Sequence, residues 1–129
     1  VSRLRAYELL REESLRLEAT IGLDTTRRIV EDMLASPGAA LSLCHGLAGN
    51  CAVLLYGADV LGGDSSRIRE LALEACARVL PVGGARDPWL AGAELGDNPS
   101  VMLGRAGIGW LLLHVAGKNL ANAILPHRL

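Results

Sequence analysis

The sequence predicts an all-α fold in which amphipathic helices alternate with helices that are apolar on every side, as in two concentric layers. Three observations predict it. Apolar residues recur at helical spacing along most of the chain, and no stretch makes a convincing strand. Half of the 129 residues are hydrophobic, yet only 3% are aromatic and none is Phe. The core is therefore built from Leu, Val, Ile and Ala, which suit close helix packing. Finally, a G-x-A-G pattern followed by an apolar run occurs twice: "HGLAGNCAVLL" at His45 to Leu55 aligns with "LGRAGIGWLLL" at Leu103 to Leu113. Repeats spaced like this, with Gly46 matching Gly104, mark helix pairs stacked in an array or closed ring.

The first predicted helix runs from Ser2 to about Leu17, with Leu4, Tyr7, Leu10, Ser14 and Leu17 along one side. "IGLD" breaks it, with Gly22 as terminator and Asp24 as N-cap of the next helix. The second covers Thr25 to Ala35. Ile29, Val30, Met33 and Leu34 form its apolar face, opposite Arg27, Arg28, Glu31 and Asp32, and "SPG" at Ser36 to Gly38 ends it. The third begins near Gly46, ends at "LGG" and carries no charge until Asp59. The fourth starts at Asp64 or Ser65 and runs to Leu80, with Ile68, Leu71, Ala75 and Val79 against Arg67, Glu70, Glu74 and Arg78, and Pro81 closes it. A glycine-rich loop spans Val82 to Asn98. The fifth helix follows "NPS" and contains "GIGWLLLHVAG". The third and fifth helices are the interior ones by this reading, the second and fourth the outer ones.

The length makes one region, residues 1–129, with no second domain. Lys plus Arg number 13 and Asp plus Glu 14, for a formal net charge of −1, so no basic footprint for nucleic acid or anionic lipid is present. The most apolar stretch, Leu41 to Ala58, carries Cys44, His45 and Asn50 and opens with a turn, so it is read as a buried helix and not a membrane span. Three cysteines, an odd number, with no signal peptide at the start, point to a reducing, cytoplasmic setting.

"SLCHGLAGN" is the stretch that carries chemistry. Adjacent residues in a helix point about 100° apart and in a strand to opposite faces, so Cys44 and His45 reach one ion only where the backbone turns sharply. Gly46, at a helix start, supplies that turn. The helix N-terminus lowers a thiol's pKa, and thiolate with imidazole suits zinc. The blander reading is that Cys is among the commonest buried residues and a lone Cys-His pair is usually packing. Cys51 and Cys76 read as core residues, His114 as a hydrogen-bonded core histidine and His127 as solvated, so this chain alone closes no zinc site. A phosphate cradle at the glycines is a weaker option, since no lysine or Ser/Thr completes it.

"SLCHGLAGN" followed by "NPSVMLGRAGIGWLLLHVA" resembles the C-terminal part of the LanC-type lanthipeptide cyclases, including the cyclase domain of bifunctional lanthipeptide synthetases. Cys44, His45 and Gly46 match the family's Cys-His-Gly triplet. Gly104, Ala106, Gly107, Ile108 and Gly109 match its last G-x-A-G-I-G motif, and "ANAILPHRL" resembles its apolar tail. The resemblance covers the chain from about residue 20 onward. It implies an α/α toroid, a double ring of helices, of which this chain is a C-terminal part. It also implies that Cys44 and His45 hold Zn2+, with a third ligand, a cysteine in a Trp-Cys-x-Gly motif, upstream in the same enzyme. No Trp-Cys-x-Gly motif occurs in this sequence, and the family's acid/base His and Asp also lie upstream.

The activity implied is the addition of peptide Cys thiolates to dehydroalanine or dehydrobutyrine, giving thioether rings. The partner is then a precursor peptide with dehydrated Ser/Thr and Cys. Two other readings are carried beside it: a LanC-like protein acting on glutathione or another small thiol, and a non-catalytic helical repeat in which Cys44 and His45 are ordinary packing residues.

Overall fold

A computed structural model describes residues 1–62, 66–79 and 98–117. These residues form five helices and no strand: α1 (Ser2–Leu10), α2 (Glu13–Ala35), α3 (Leu47–Leu61), α4 (Ser66–Val79) and α5 (Arg105–Val115). The all-α class is as expected. The loop from Val82, the tail "ANAILPHRL", His127 and the predicted ends of the fourth helix at Asp64 or Ser65 and at Leu80 lie outside the described residues.

The N-terminal half differs from expectation in where the chain breaks. Gly22 and Asp24 do not separate two helices; they lie inside α2, a continuous helix of 23 residues. The break comes earlier, at Arg11, whose left-handed backbone (φ 58°) caps α1 while its N–H donates to the Tyr7 carbonyl. Its guanidinium lies over the Tyr7 ring, 5.5 Å from the centroid. A mid-helix glycine costs only about 1 kcal/mol relative to Ala, and local bonds offset it. The Thr25 and Thr26 hydroxyls donate to the carbonyls one turn back, those of Ile21 and Gly22. Asp24 is paired with Arg27 and Arg28, and Arg27 also with Glu31, so the residue expected to cap a helix instead ties one together. Restarting at Glu13 also resets the inward face. Leu4, Leu15 and Ala19 are buried, whereas Leu10 and Leu17, expected on that face, are each 62% exposed.

The "SPG" stop holds: Ser36 follows α2 in an extended conformation, and Gly38 has φ 84°. The open carbonyls there are taken by a residue from another helix. The Arg78 guanidinium on α4 donates to Met33, Leu34 and Ser36 carbonyls, neutralising the negative end of α2.

α3 is the interior helix. Leu47, Ala48, Cys51, Ala52, Leu54 and Leu55 are buried along one broad face, and Gly49 and Gly57 are buried on the opposite side. It touches α1, α2, α4 and α5, which explains why it can afford no charge in its first three turns. Gly57 lets α2 approach: a Cβ there would stand 2.5 Å from one Leu23 methyl. The layered expectation holds for α5: Gly107, Ile108 and Leu111 are buried and only Arg105, Ala106 and Leu113 are exposed along the helix, whereas α4 buries Leu71, Ala72, Ala75 and Cys76 and exposes most of its other described residues. Among the described helices α5 packs on α3 and α4, and Leu113, 47% exposed, lies away from both.

Candidate metal-binding turn

The sequence repeat is a structural repeat. Residues 43–45 form a turn before α3, and residues 101–103 form the matching turn before α5. Gly46 and Gly104 are the two N-caps, both in extended backbone. The Leu47 N–H donates to the Ala40 carbonyl at 2.9 Å, and the Arg105 N–H donates to the Asn98 carbonyl at 2.8 Å, the same bond one repeat later. The glycines are required by close approach. A Cβ on Gly46 would stand 2.6 Å from the Ala40 oxygen, and one on Gly104 would stand 2.7 Å from the Ser100 nitrogen.

These bonds decide against a phosphate cradle. The first amides of α3, those of Leu47, Ala48 and Gly49, already donate to the carbonyls of Ala40, Leu41 and Ser42. An anion at this helix end would find its donors taken.

The two turns lie against each other. The Cys44 N–H donates to the Met102 carbonyl at 2.8 Å, which joins equivalent positions of the two repeats. A Cβ on Gly107 would reach 2.9 Å from the Leu43 Cβ, so the second repeat's glycine makes room for the first repeat's turn. Leu43 is buried, and the next two residues, Cys44 and His45, are exposed. The turn thus presents a thiol and an imidazole side by side, on a backbone held by α3, by residues 40–42 and by Met102.

The other thiols are placed differently. Cys51 is 1% exposed, and burial, with a smaller contribution from nearby Cys76, pushes its thiol up to about 12. Cys76 is also buried, and burial raises its thiol. Thiols that resist ionisation are poor metal donors, so both are core residues, as expected. His114 differs from expectation. It stacks on Trp110, with centroids 5.0 Å apart and planes 16° apart, and its buried Nδ1 has no hydrogen-bond partner among the described residues. Among the described residues no three His, Cys, Asp or Glu side chains gather as a metal site would require. Cys44 and His45 fit as two donors of a site, the one exposed thiol among the three with its adjacent imidazole, and not as a whole one.

A sequence model of the family described as lanthionine synthetase C-like protein matches residues 1–126. The chain belongs to the lanthionine synthetase C-like family. The match extends the resemblance, carried by residue 20 onward, over the N-terminal helices as well. No curated protein and no solved structure matches the chain. Membership in this LanC-like family points to a function of the lanthionine-cyclase type and to a peptide as substrate. Among the described residues, no helix is long and apolar enough to cross a membrane. Two neighbours of the LanC-like turn were not singled out from the sequence, Ser42 and Met102. The repeat alignment carried the signal for Met102, which falls opposite Cys44 when the two motifs are superposed.

Proposed function

We propose that this LanC-like chain is the C-terminal portion of a zinc-dependent lanthionine cyclase, in which Cys44 and His45 are two of the protein's zinc ligands and a cysteine from the upstream part of the same enzyme is the third. The observation that supports it best is the contrast among the thiols: Cys44 is exposed beside exposed His45, while Cys51 and Cys76 are buried. When bound there, zinc supplies a positive centre that lowers the pKa of a substrate thiol at neutral pH.

The overall reaction adds the thiol of a precursor-peptide cysteine across a dehydroalanine or dehydrobutyrine of the same peptide. The sulfur bonds to the β-carbon, a proton goes to the α-carbon, and a thioether ring closes. This chain's residues contribute position. Gly46 and Gly49 let the turn fold tightly onto residues 40–43, and the Cys44 N–H bond to Met102 holds the donor pair against the second repeat. Neither Cys44 nor His45 is the acid or base of the reaction in this account. A cytoplasmic setting belongs to the same proposal, since free thiols persist where the medium is reducing.

The test is ring formation by the intact enzyme on a dehydrated precursor peptide, with unreacted peptide thiols counted by alkylation and mass spectrometry, and with glutathione as the competing nucleophile. The expected result is intramolecular rings, lost in His45→Ala. Glutathione adducts formed in preference to rings would favour the small-thiol reading, and wild-type ring formation by His45→Ala would remove His45 from the site.

A further inference from the structure

Ser42 is 0% exposed, and its hydroxyl has no hydrogen-bond partner among the described residues. A buried hydroxyl left unpaired is costly, so its presence calls for a reason. Three residues later, the His45 N–H makes no hydrogen bond among the described residues. The second repeat shows the same two groups joined. Ser100 stands where Ser42 stands, Leu103 where His45 stands, and the Leu103 N–H donates to the Ser100 hydroxyl at 3.2 Å. The backbones around the two pairs are alike, with Gly46 and Gly104 in the same extended conformation and the same seven-residue bond closing each turn. A hydroxyl accepting the N–H three residues on is a common serine turn bond, and a serine reaches it by stepping between staggered rotamers.

We propose that Ser42 is a positioning residue: its hydroxyl accepts the His45 N–H, as Ser100 accepts that of Leu103, and so fixes Cys44 and His45 in the orientation in which they share one cation. The last clause rests on the metal reading of the turn; the hydrogen bond does not. Ser42 touches neither metal nor substrate. It acts on the backbone of the residue that does.

The experiment is residue-resolved amide hydrogen exchange on the intact enzyme, with and without Co2+ as the spectroscopic probe, for wild type, Ser42→Ala, Ser100→Ala and Cys44→Ala. In Ser42→Ala the His45 amide should exchange at least about tenfold faster while Leu103 is unchanged, and Ser100→Ala should do the reverse. Cobalt affinity should fall roughly 10–100-fold in Ser42→Ala, the usual effect of losing a group that orients a ligand, with the absorption bands altered. In Ser100→Ala both should stay at wild-type values. A merely structural serine would not move the cobalt spectrum. Unchanged His45 exchange in Ser42→Ala overturns the proposal, as does a cobalt affinity within about twofold of wild type. Cobalt lost by Cys44→Ala with His45 exchange unchanged in Ser42→Ala rejects the serine and keeps the metal site. Cobalt retained by Cys44→Ala with His45 exchange accelerated in Ser42→Ala rejects the metal site and keeps the hydrogen bond.

Discussion

Two glycines of α5, two residues apart, should respond to the same substitution with opposite signs. Both lie in the helix, where Ala is favoured over Gly by about 1 kcal/mol. Around Gly109 no described residue lies within 4 Å of the point a Cβ would occupy, so Gly109→Ala should stabilise by about 0.5–1 kcal/mol. At Gly107 the new Cβ would lie 2.9 Å from the Leu43 Cβ and closer still to the Val101 carbonyl oxygen. Carbon atoms in contact normally stand about 3.5–4.0 Å apart, so Leu43 would have to retreat by at least roughly 0.6 Å. Leu43 is 1% exposed, and its backbone is pressed by Gly49 from the other side, where a Cβ would stand 2.9 Å from the Leu43 carbonyl carbon. The Val101 carbonyl belongs to the second turn and cannot yield without moving it. Overpacking of this kind costs about 1–3 kcal/mol per strained contact. Two contacts, less the helix gain, leave Gly107→Ala destabilised by about 1–5 kcal/mol. Urea unfolding followed by circular dichroism measures both variants, and with slopes of about 1–3 kcal/mol per molar their midpoints should separate by roughly 0.5 M or more. A Gly107→Ala protein as stable as wild type would refute the packing of the two turns.

Two further outcomes follow from the buried thiols. After metal is removed with a chelator, native-state alkylation should modify Cys44 rapidly and leave Cys51 and Cys76 unreacted until the protein unfolds, and mass spectrometry reads the three sites separately. Fast labelling of Cys51 would contradict its burial. Stability should also fall in alkali. The Cys51 thiol is raised by burial first and then by Cys76, and Tyr56 is raised by burial first and then by its hydrogen bond to Glu8. In both cases the folded state holds the proton more tightly than the unfolded state. Their stabilisation is therefore complete below the unfolded values and lost as pH climbs, for Cys51 between 9.0 and about 12, at no more than about 1.4 kcal/mol per pH unit. Cys51→Ala should cost about 1 kcal/mol in packing at neutral pH and flatten that alkaline slope, as urea midpoints from pH 8 to 10 will show; an unchanged slope would separate it from Cys51.

The sequence made the helical class, α3 and the repeat legible because each rests on local patterning: an uncharged run, two glycine entries and a terminating Gly62 with φ 67°. It misplaced the first break, since the feature that ends α1 is a left-handed Arg11, a conformation no composition signal marks, while Gly22 looks like a stop only until the threonine and Arg27 bonds across it are known. The interior character of α5 was legible in its apolar run, but the exposure of Leu113 depends on which helices flank it, and that is a property of the assembled fold. The placement of Cys44 and His45 together at a turn was legible from the glycine after them. What the sequence could not give was the placement of the pair against Met102, or Ser42 buried with an idle hydroxyl, because both depend on the two turns meeting in space.

The central claim is that Cys44 and His45 share one zinc ion. Metal analysis of the intact enzyme, purified as wild type and as Cys44→Ala, Cys51→Ala and Cys76→Ala, tests it most directly. The account predicts one zinc per wild-type molecule, with sulfur at about 2.3 Å by X-ray absorption, retained in Cys51→Ala and Cys76→Ala and lost in Cys44→Ala with the helical spectrum preserved. Full zinc occupancy in Cys44→Ala would contradict it and leave "LCHG" a packed turn before a buried helix.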